Sequence, residues 1–277
     1  MSNRIPYPSH KSFHYKKLIG GTPVRLLVNG EETFPAMLES IREARRVVFF
    51  ESYIFRNDET GWQFVRAFEQ AQKNGAAVFI LLDGWGALQA SGLADELRQS
   101  GIQVKFYHPI SARRGAWKYF SKRNHRKLLV TDFEWGFLGG INIGNEYLSR
   151  QPDGSPGIRD THIRIQGPSI LGLAARFIVL WNKNTTKQQK ILFHHWLDRN
   201  NYQAKRRGLR SSPEELLTSL QKSLCAKGGS DNQPGYAKIQ ILGNNNILKN
   251  FLIRNSYRRL IGRAQKTIYL TNPYFIP

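Results

Sequence analysis

The stretch "RNHRKLLVTDFEWGFLGGIN", residues 123–142, holds the side chains best suited to chemistry: His125, Lys127, Asp132 and Asn142, with Gly139 and Gly140 just ahead of the asparagine. The apolar runs between them predict two strands, "RKLLVTD" and "WGFLGG", joined by a tight turn. On a strand, residues i and i+2 share a face, so His125 and Lys127 are expected to project together while Arg126 faces away and Asp132 ends the strand. An imidazole beside an ammonium suits a phosphodiester. The imidazole can form a covalent bond to phosphorus, and the lysine supplies compact positive charge for the non-bridging oxygens. Gly139 and Gly140 would let backbone approach the phosphate, and Asn142 offers an amide donor. Nothing in this pattern calls for a metal or another cofactor.

The surrounding elements alternate. "TPVRLLVNG" reads as a strand, and Phe34, Met37, Leu38, Ile41 and Ala44 recur at helical spacing with Pro35 expected in the first turn. "RVVFFESYIF", "AAVFILLDG" and "IQVKFYHP" read as strands, separated by helices at "GWQFVRAFEQAQKNG" and "LADELRQSG" that close on Gly75 and Gly101. After the motif come a strand at "DTHIRIQGP" and a helix at "SILGLAARFIVLWNK". This order is that of an α/β fold, a mixed β-sheet flanked by helices.

Four segments are expected: a basic N-terminal arm (1–22), a first domain (23–185), a polar, basic linker or insert (186–235) with a helix at "PEELLTSLQKSL", and the beginning of a second domain (236–277). The last expectation rests on an internal echo. Ile41, Ala44 and Arg45–Arg46 align with Ile261, Ala264 and Gln265–Lys266, and with one extra residue Tyr53–Ile54 meets Tyr274–Phe275.

Lysine and arginine number 41 against 20 acidic residues, a formal charge of +21, which points to nucleic acid or an anionic lipid surface. Just before the motif, Arg113 and Arg114 interleave with Trp117, Tyr119 and Phe120. That mixture suits a membrane interface, and equally suits stacked bases or a solvated loop. A lone Cys225 forms no internal disulfide, so a reducing compartment is the simpler expectation. No apolar stretch has the length and purity of a membrane span or a secretory signal, so the expected association is peripheral.

These residues, "NHRKLLVTD" followed by "GFLGGINIGNEY", "RDTHIRIQGP", and upstream "FFESYIFRNDETG" and "AVFILLDGWG", resemble the phospholipase D superfamily, and within it the bacterial cardiolipin synthases, most closely the B type. The resemblance implies phosphatidyl transfer through a phosphohistidine, with anionic phospholipid such as phosphatidylglycerol as partner, at the cytoplasmic side of the bacterial inner membrane. It places His125 as nucleophile or acid/base partner, Lys127 and Asn142 on the phosphate, and Asp132 among the motif's functional residues in hydrogen bonds that hold the site. Glu146 would orient an imidazole, and Tyr53, in the upstream stretch, would support the site.

Family members normally bring two H-x-K-x4-D motifs to one active site, one histidine attacking phosphorus and the other protonating the leaving alcohol. This sequence holds one copy: His10, His14, His108, His162, His194 and His195 all lack the required neighbours. The expectation is a synthase-like chain cut short of its second motif, with that motif supplied by another chain if the site is active. Two other readings stay open, a dimeric single-motif nuclease and a lipid-binding module without catalysis.

Overall fold

A computed structural model describes residues 19–109, 123–183, 190–191, 235–241 and 251–269. The aromatic–basic loop with Arg113, Arg114, Trp117, Tyr119 and Phe120, the expected helix at 213–224, His194–His195 and the stretch 270–277 lie outside them.

Eight strands form one sheet: β1 (Ile19–Val28), β2 (Val47–Ser52), β3 (Ala77–Asp83), β4 (Gln103–Tyr107), β5 (Leu128–Thr131), β6 (Trp135–Gly139), β7 (Thr161–Ile165) and β8 (Tyr236–Ile239). Their order is β4-β3-β2-β5-β6-β7-β1-β8. β2, β3 and β4 pair in parallel, and every pairing from β2–β5 onward to β8 is antiparallel. The α/β mixed sheet expected from the alternating pattern is therefore present.

The helices are α1 (Asn29–Glu43), α2 (Glu59–Lys73), α3 (Ser91–Gln99), α4 (Ser169–Lys183) and α5 (Phe251–Arg263). α1 to α3 pack on one face, where Phe34, Ile41, Phe64, Phe68 and Leu93 meet Val48, Phe50, Ile80, Leu129 and Phe137. α4 covers the other, where Phe177 and Trp181 meet Val47, Phe49, Phe79, Leu128 and Val130. Alternate strand residues thus serve opposite cores, and β2 and β3 are apolar almost without interruption because both of their faces are covered. Gly75 and Gly101 take φ of +91° and +79°, the left-handed conformation that ends α2 and α3.

One expectation needs correction. α1 begins at Asn29 and not near Thr33, so Pro35 stands inside the helix instead of in its first turn. Its missing N–H leaves the Glu31 carbonyl without that intrahelical donor. The burial of Phe34, Met37, Leu38 and Ile41 against the sheet carries the helix past it.

The two helix ends in the internal echo each carry one closing backbone hydrogen bond. The N–H of Ala44 donates to the Ile41 carbonyl at 3.1 Å, and that of Ala264 donates to Ile261 at 3.2 Å, each closing its helix the same way. β8 meanwhile pairs antiparallel with β1, extending the sheet at that edge.

Candidate active site

β1, β2, β3 and β6 all end at one edge of the sheet, and β5 and β7 begin there, so the loops of all six meet at that edge. It is the carboxyl edge of the parallel strands, the place where open α/β sheets hold their ligands. His125 and Lys127 sit in the extended segment that enters β5, not on the paired strand itself, because the ladder with β2 starts at Leu128 opposite Glu51. The expected strand therefore begins later than the sequence suggested, while the alternation of side chains persists through the unpaired residues.

The two motif side chains meet. Lys127 Nζ lies 3.1 Å from His125 Nδ1 and donates to the His125 carbonyl at 2.9 Å. Tyr53, just past β2, packs against the imidazole with ring centroids 4.4 Å apart and planes tilted by 41°, and Lys127 Nζ stands 5.2 Å above the same phenol ring. Lys127 is buried apart from this opening, whereas His125 opens to solvent on one side. Partial burial, and then the Lys127 charge, lower the His125 pKa, with Asp83 opposing them, so the imidazole is neutral near pH 7. Burial lowers Lys127 to about 8 against the pull of Asp160 and Asp83. Its charge therefore depends on pH within a physiological range.

Asn142 follows β6 into the same edge, where it is buried. Its Oδ1 accepts the Ile54 N–H at 3.0 Å, and Nδ2 donates to the Tyr147 hydroxyl. One of its two amide hydrogens is thereby committed, and its main visible work is to hold the Tyr53–Ile54 segment beside His125. A parallel bridge between Phe55 and Ile143 secures the same two loops.

The remaining predicted residues are not brought to the imidazole. Asp132 lies at the far end of β5, where Oδ2 accepts the Arg45 N–H and Oδ1 those of Arg46 and Val47, each at 2.8 Å. It pins the α1–β2 turn at the opposite end of β5 from His125 and Lys127, which corrects its grouping with the catalytic residues. Among the described residues Glu146 meets no imidazole: its carboxylate is engaged by the Arg56 guanidinium through contacts of 3.1 and 3.2 Å. Gly140 has no free N–H for a phosphate, because that N–H donates to Thr161 at 2.9 Å. The two glycines serve a close strand approach instead. A Cβ on Gly139 would lie 2.5 Å from the Thr161 carbonyl oxygen, and one on Gly140 would lie 2.2 Å from Asp160 Oδ1.

Sequence reasoning missed several neighbours. Asp160 holds its carboxylate over Gly140 and acts on Lys127 electrostatically, while its own N–H donates to Asn29 Oδ1 at 3.0 Å. His162, 1% exposed, lies cross-strand from Gly139, and neither ring nitrogen has a hydrogen-bond partner. Burial and the Lys127 charge push it down to about 3, so it is neutral at any ordinary pH. Glu51 and Asp83 end β2 and β3 as buried carboxylates. A signal for both was present: an acidic residue closing an otherwise apolar strand, in "FFES" and "ILLD", has to find a partner.

With this geometry in view, the relatives are informative. Residues 37–154 match the family described as cardiolipin synthase, PLD-like domain. That stretch is similar to the cardiolipin synthase group of the phospholipase D superfamily. The chain is 29% identical to cardiolipin synthase 1 of Bacillus cereus over 97% of this chain and 50% of that protein. It is 39% identical to cardiolipin synthase A of Pseudomonas aeruginosa over 57% of this chain and 32% of that one. The chain thus spans about half the length of the Bacillus proteins it matches and a third of the Pseudomonas ones. Among solved structures, phosphatidylserine synthase of Haemophilus influenzae is similar with a TM-score of 0.47 at 16% identity, covering 80% of this chain and 48% of that one. Nuc of Salmonella typhimurium scores 0.46 at 16% identity, over 58% of this chain and 95% of that one.

Proposed function

We propose that this chain carries the histidine–lysine half of a phosphatidyl-transferring site of the cardiolipin synthase kind, and that a second histidine motif from outside the described residues completes it. The observation that supports the reading most is the His125–Lys127 contact at the carboxyl edge of the sheet, with Tyr53 packed against the imidazole. A phosphodiester placed there would receive Lys127 on a non-bridging oxygen, drawing the ammonium off Nδ1 and leaving that nitrogen to hold the imidazole proton. The Nε2 lone pair then faces phosphorus. Attack forms the N–P bond and breaks the P–O bond to the departing glycerol, whose oxygen takes a proton from the second histidine. In the second half the acceptor hydroxyl gives its proton to that histidine and attacks phosphorus, and the N–P bond breaks.

Kept on Nδ1, the same ammonium would fix the proton on Nε2 and make His125 the acid instead. The proton position therefore decides the role. The excess of positive charge suits an anionic lipid surface, and among the described residues no helix is long and apolar enough to cross a membrane. We place the protein on the cytoplasmic leaflet, in contact with phosphatidylglycerol.

The deciding experiment incubates the protein with radiolabelled phosphatidylglycerol vesicles and, separately, with single-stranded DNA. Cardiolipin with released glycerol, together with an acid-labile phosphoryl adduct lost in His125→Ala, is the expected result. Cleaved DNA with intact lipid would replace this reading by a nuclease. Binding to vesicles with neither product nor adduct would leave only a lipid-binding role.

A further inference from the structure

The chain segment bearing His125 is anchored from the side of the sheet opposite the reaction. In "RNHRK" the odd residues His125 and Lys127 share one side with Leu129 and the α1–α3 core, while Asn124 and Arg126 share the other with Leu128 and the α4 core. On β2 and β3, Glu51 and Asp83 have the parity of Phe49, Phe79 and Leu81, which also face α4. Two carboxylates and two motif-flanking side chains therefore meet behind the site.

Their bonding is dense. Asn124 Nδ2 donates to Glu51 Oε1, and Arg126 reaches the same oxygen at 2.8 Å. Arg126 Nε in turn donates to Asn124 Oδ1 at 3.2 Å, closing a three-membered ring of contacts. The Asn124 N–H donates to Asp83 Oδ2 at 2.8 Å. Asp83 Oδ1 accepts the Trp85 and Gly86 N–H groups at 2.8 and 3.2 Å, and Gly86 packs against Tyr53, whose Cδ2 would lie 2.9 Å from a Cβ placed there. One buried pair of acids thus fixes the residues on both sides of His125 and the loop beneath its aromatic partner. Glu51 and Asp83 are 0% exposed; Glu51 is engaged through Oε1 alone, Oε2 having no hydrogen-bond partner, and burial raises its pKa against the pull of Arg126 and Asn124.

We propose that Glu51, acting through Asn124 and Arg126, is a positioning residue that fixes the His125 imidazole against Tyr53 and Lys127. The backbone at His125 has no ladder partner of its own, since pairing with β2 begins at Leu128. Apart from Glu51, the segment is tied by the Asn124 N–H to Asp83 and by Arg123 to the His108 carbonyl at 3.0 Å, both on the N-terminal side of His125, so Glu51 is the acid that holds the side chains flanking His125 on both sides. Displacing a reacting nitrogen by about 1 Å lowers a rate by about 10²-fold while leaving substrate binding largely intact. The kinetic side of this inference rests on the phosphodiester reading above. The geometric side does not.

The test is therefore a histidine NMR titration of Glu51→Gln beside the natural chain, with turnover measured where activity exists. Expected in the variant are loss of the ring-current shift that Tyr53 imposes on His125 and movement of its titration midpoint back toward the ordinary histidine value. The charged groups acting on it, Lys127 and Asp83, are retained. His162, buried on the same side of the sheet, serves as internal control and is expected to stay untitrated from pH 5 to 8. kcat is expected to fall about 10²-fold with KM within about twofold. If His125 keeps its shift and midpoint while only the melting temperature drops, Glu51 merely supports the core and the proposal fails. Should Glu51→Gln not fold, Asn124→Ser severs the same link nearer the histidine and is judged by the same two outcomes.

Discussion

The two ends of β5 carry the two ends of one motif and do unlike work. At its start, an exposed His125 and a buried Lys127 share a hydrogen bond, both with pKa values lowered by burial. At its end, Asp132 is consumed by three backbone N–H groups of the α1–β2 turn. The four-residue spacer between Lys127 and Asp132 is the four-residue strand Leu128–Thr131, so the spacing in the motif measures a structural distance. Asp132 and Phe133 have φ of +53° and +57°, and the Glu134 N–H donates to the Thr131 carbonyl at 2.9 Å, so a three-residue turn, its first two residues in the left-handed region, joins β5 to β6. The aspartate thus fixes where the hairpin turns relative to β2, and so where His125 emerges at the other edge.

If the ends differ in this way, substitutions should separate activity from stability. His125→Ala should lower turnover by about 10⁴-fold or more with an unchanged unfolding transition, checked by initial rates and a denaturant melt. At the opposite end, Asp132→Ala should cost about 3 kcal/mol in the same melt, because it strands three amide donors. Its folded fraction should turn over at the natural rate. A large kcat loss in fully folded Asp132→Ala would erase the distinction drawn here.

Acidity sharpens the comparison. kcat/KM should fall above pH about 8 as Lys127 loses its proton, and the limb should move to higher pH in Lys127→Arg, whose guanidinium stays charged. On the acid side the rate should fall as His125 protonates, at a midpoint below the usual imidazole value. His162 predicts a stability effect instead. Its folded value is about 3 against 6.5 for the exposed group, so below pH 6.5 the unfolded chain takes up a proton the folded one excludes. Stability therefore drops as pH falls from 6.5 toward 3, by about 2 kcal/mol at pH 5, and His162→Leu should flatten that slope in acid melts. The smallest effect is expected from Glu146→Gln. Since that carboxylate pairs with Arg56 and not with an imidazole, kcat should change by less than about threefold.

Most elements were legible because their hydrophobic periods were undisturbed: β2, β3, β4, α2, α3 and α4 fall where the alternation and the helical spacing put them. The start of α1 was misplaced because Pro35 suggested a first turn, and tertiary burial of Phe34 and Ile41 overrode that local cue. Within the site, the side-by-side placement of His125 and Lys127 was readable from parity. Which acids serve them was not. The resemblance puts an acidic residue near the place of Glu146, yet Arg56, 90 residues away, engages it.

The pair of equivalent helix ends makes the same point on a larger scale. Ile41 and Ile261 occupy like positions in like turns, yet the first is 0% exposed and the second 52%. Capping hydrogen bonds span only a few residues, so each helix end closes on its own local sequence. Burial requires a partner surface, which no local pattern supplies.

By itself the sequence determined the alternating α/β order, the shared face of the histidine and lysine, and the chemistry those two groups allow. Only the tertiary structure decided that Asp132 braces a turn, that the glycines make room for a neighbouring strand and Asp160, and that Glu51 and Asp83 anchor the segment from behind. The reason is physical: side-chain direction follows from backbone period within a few residues, whereas the partner of a buried charge is whichever group the sheet order brings to it.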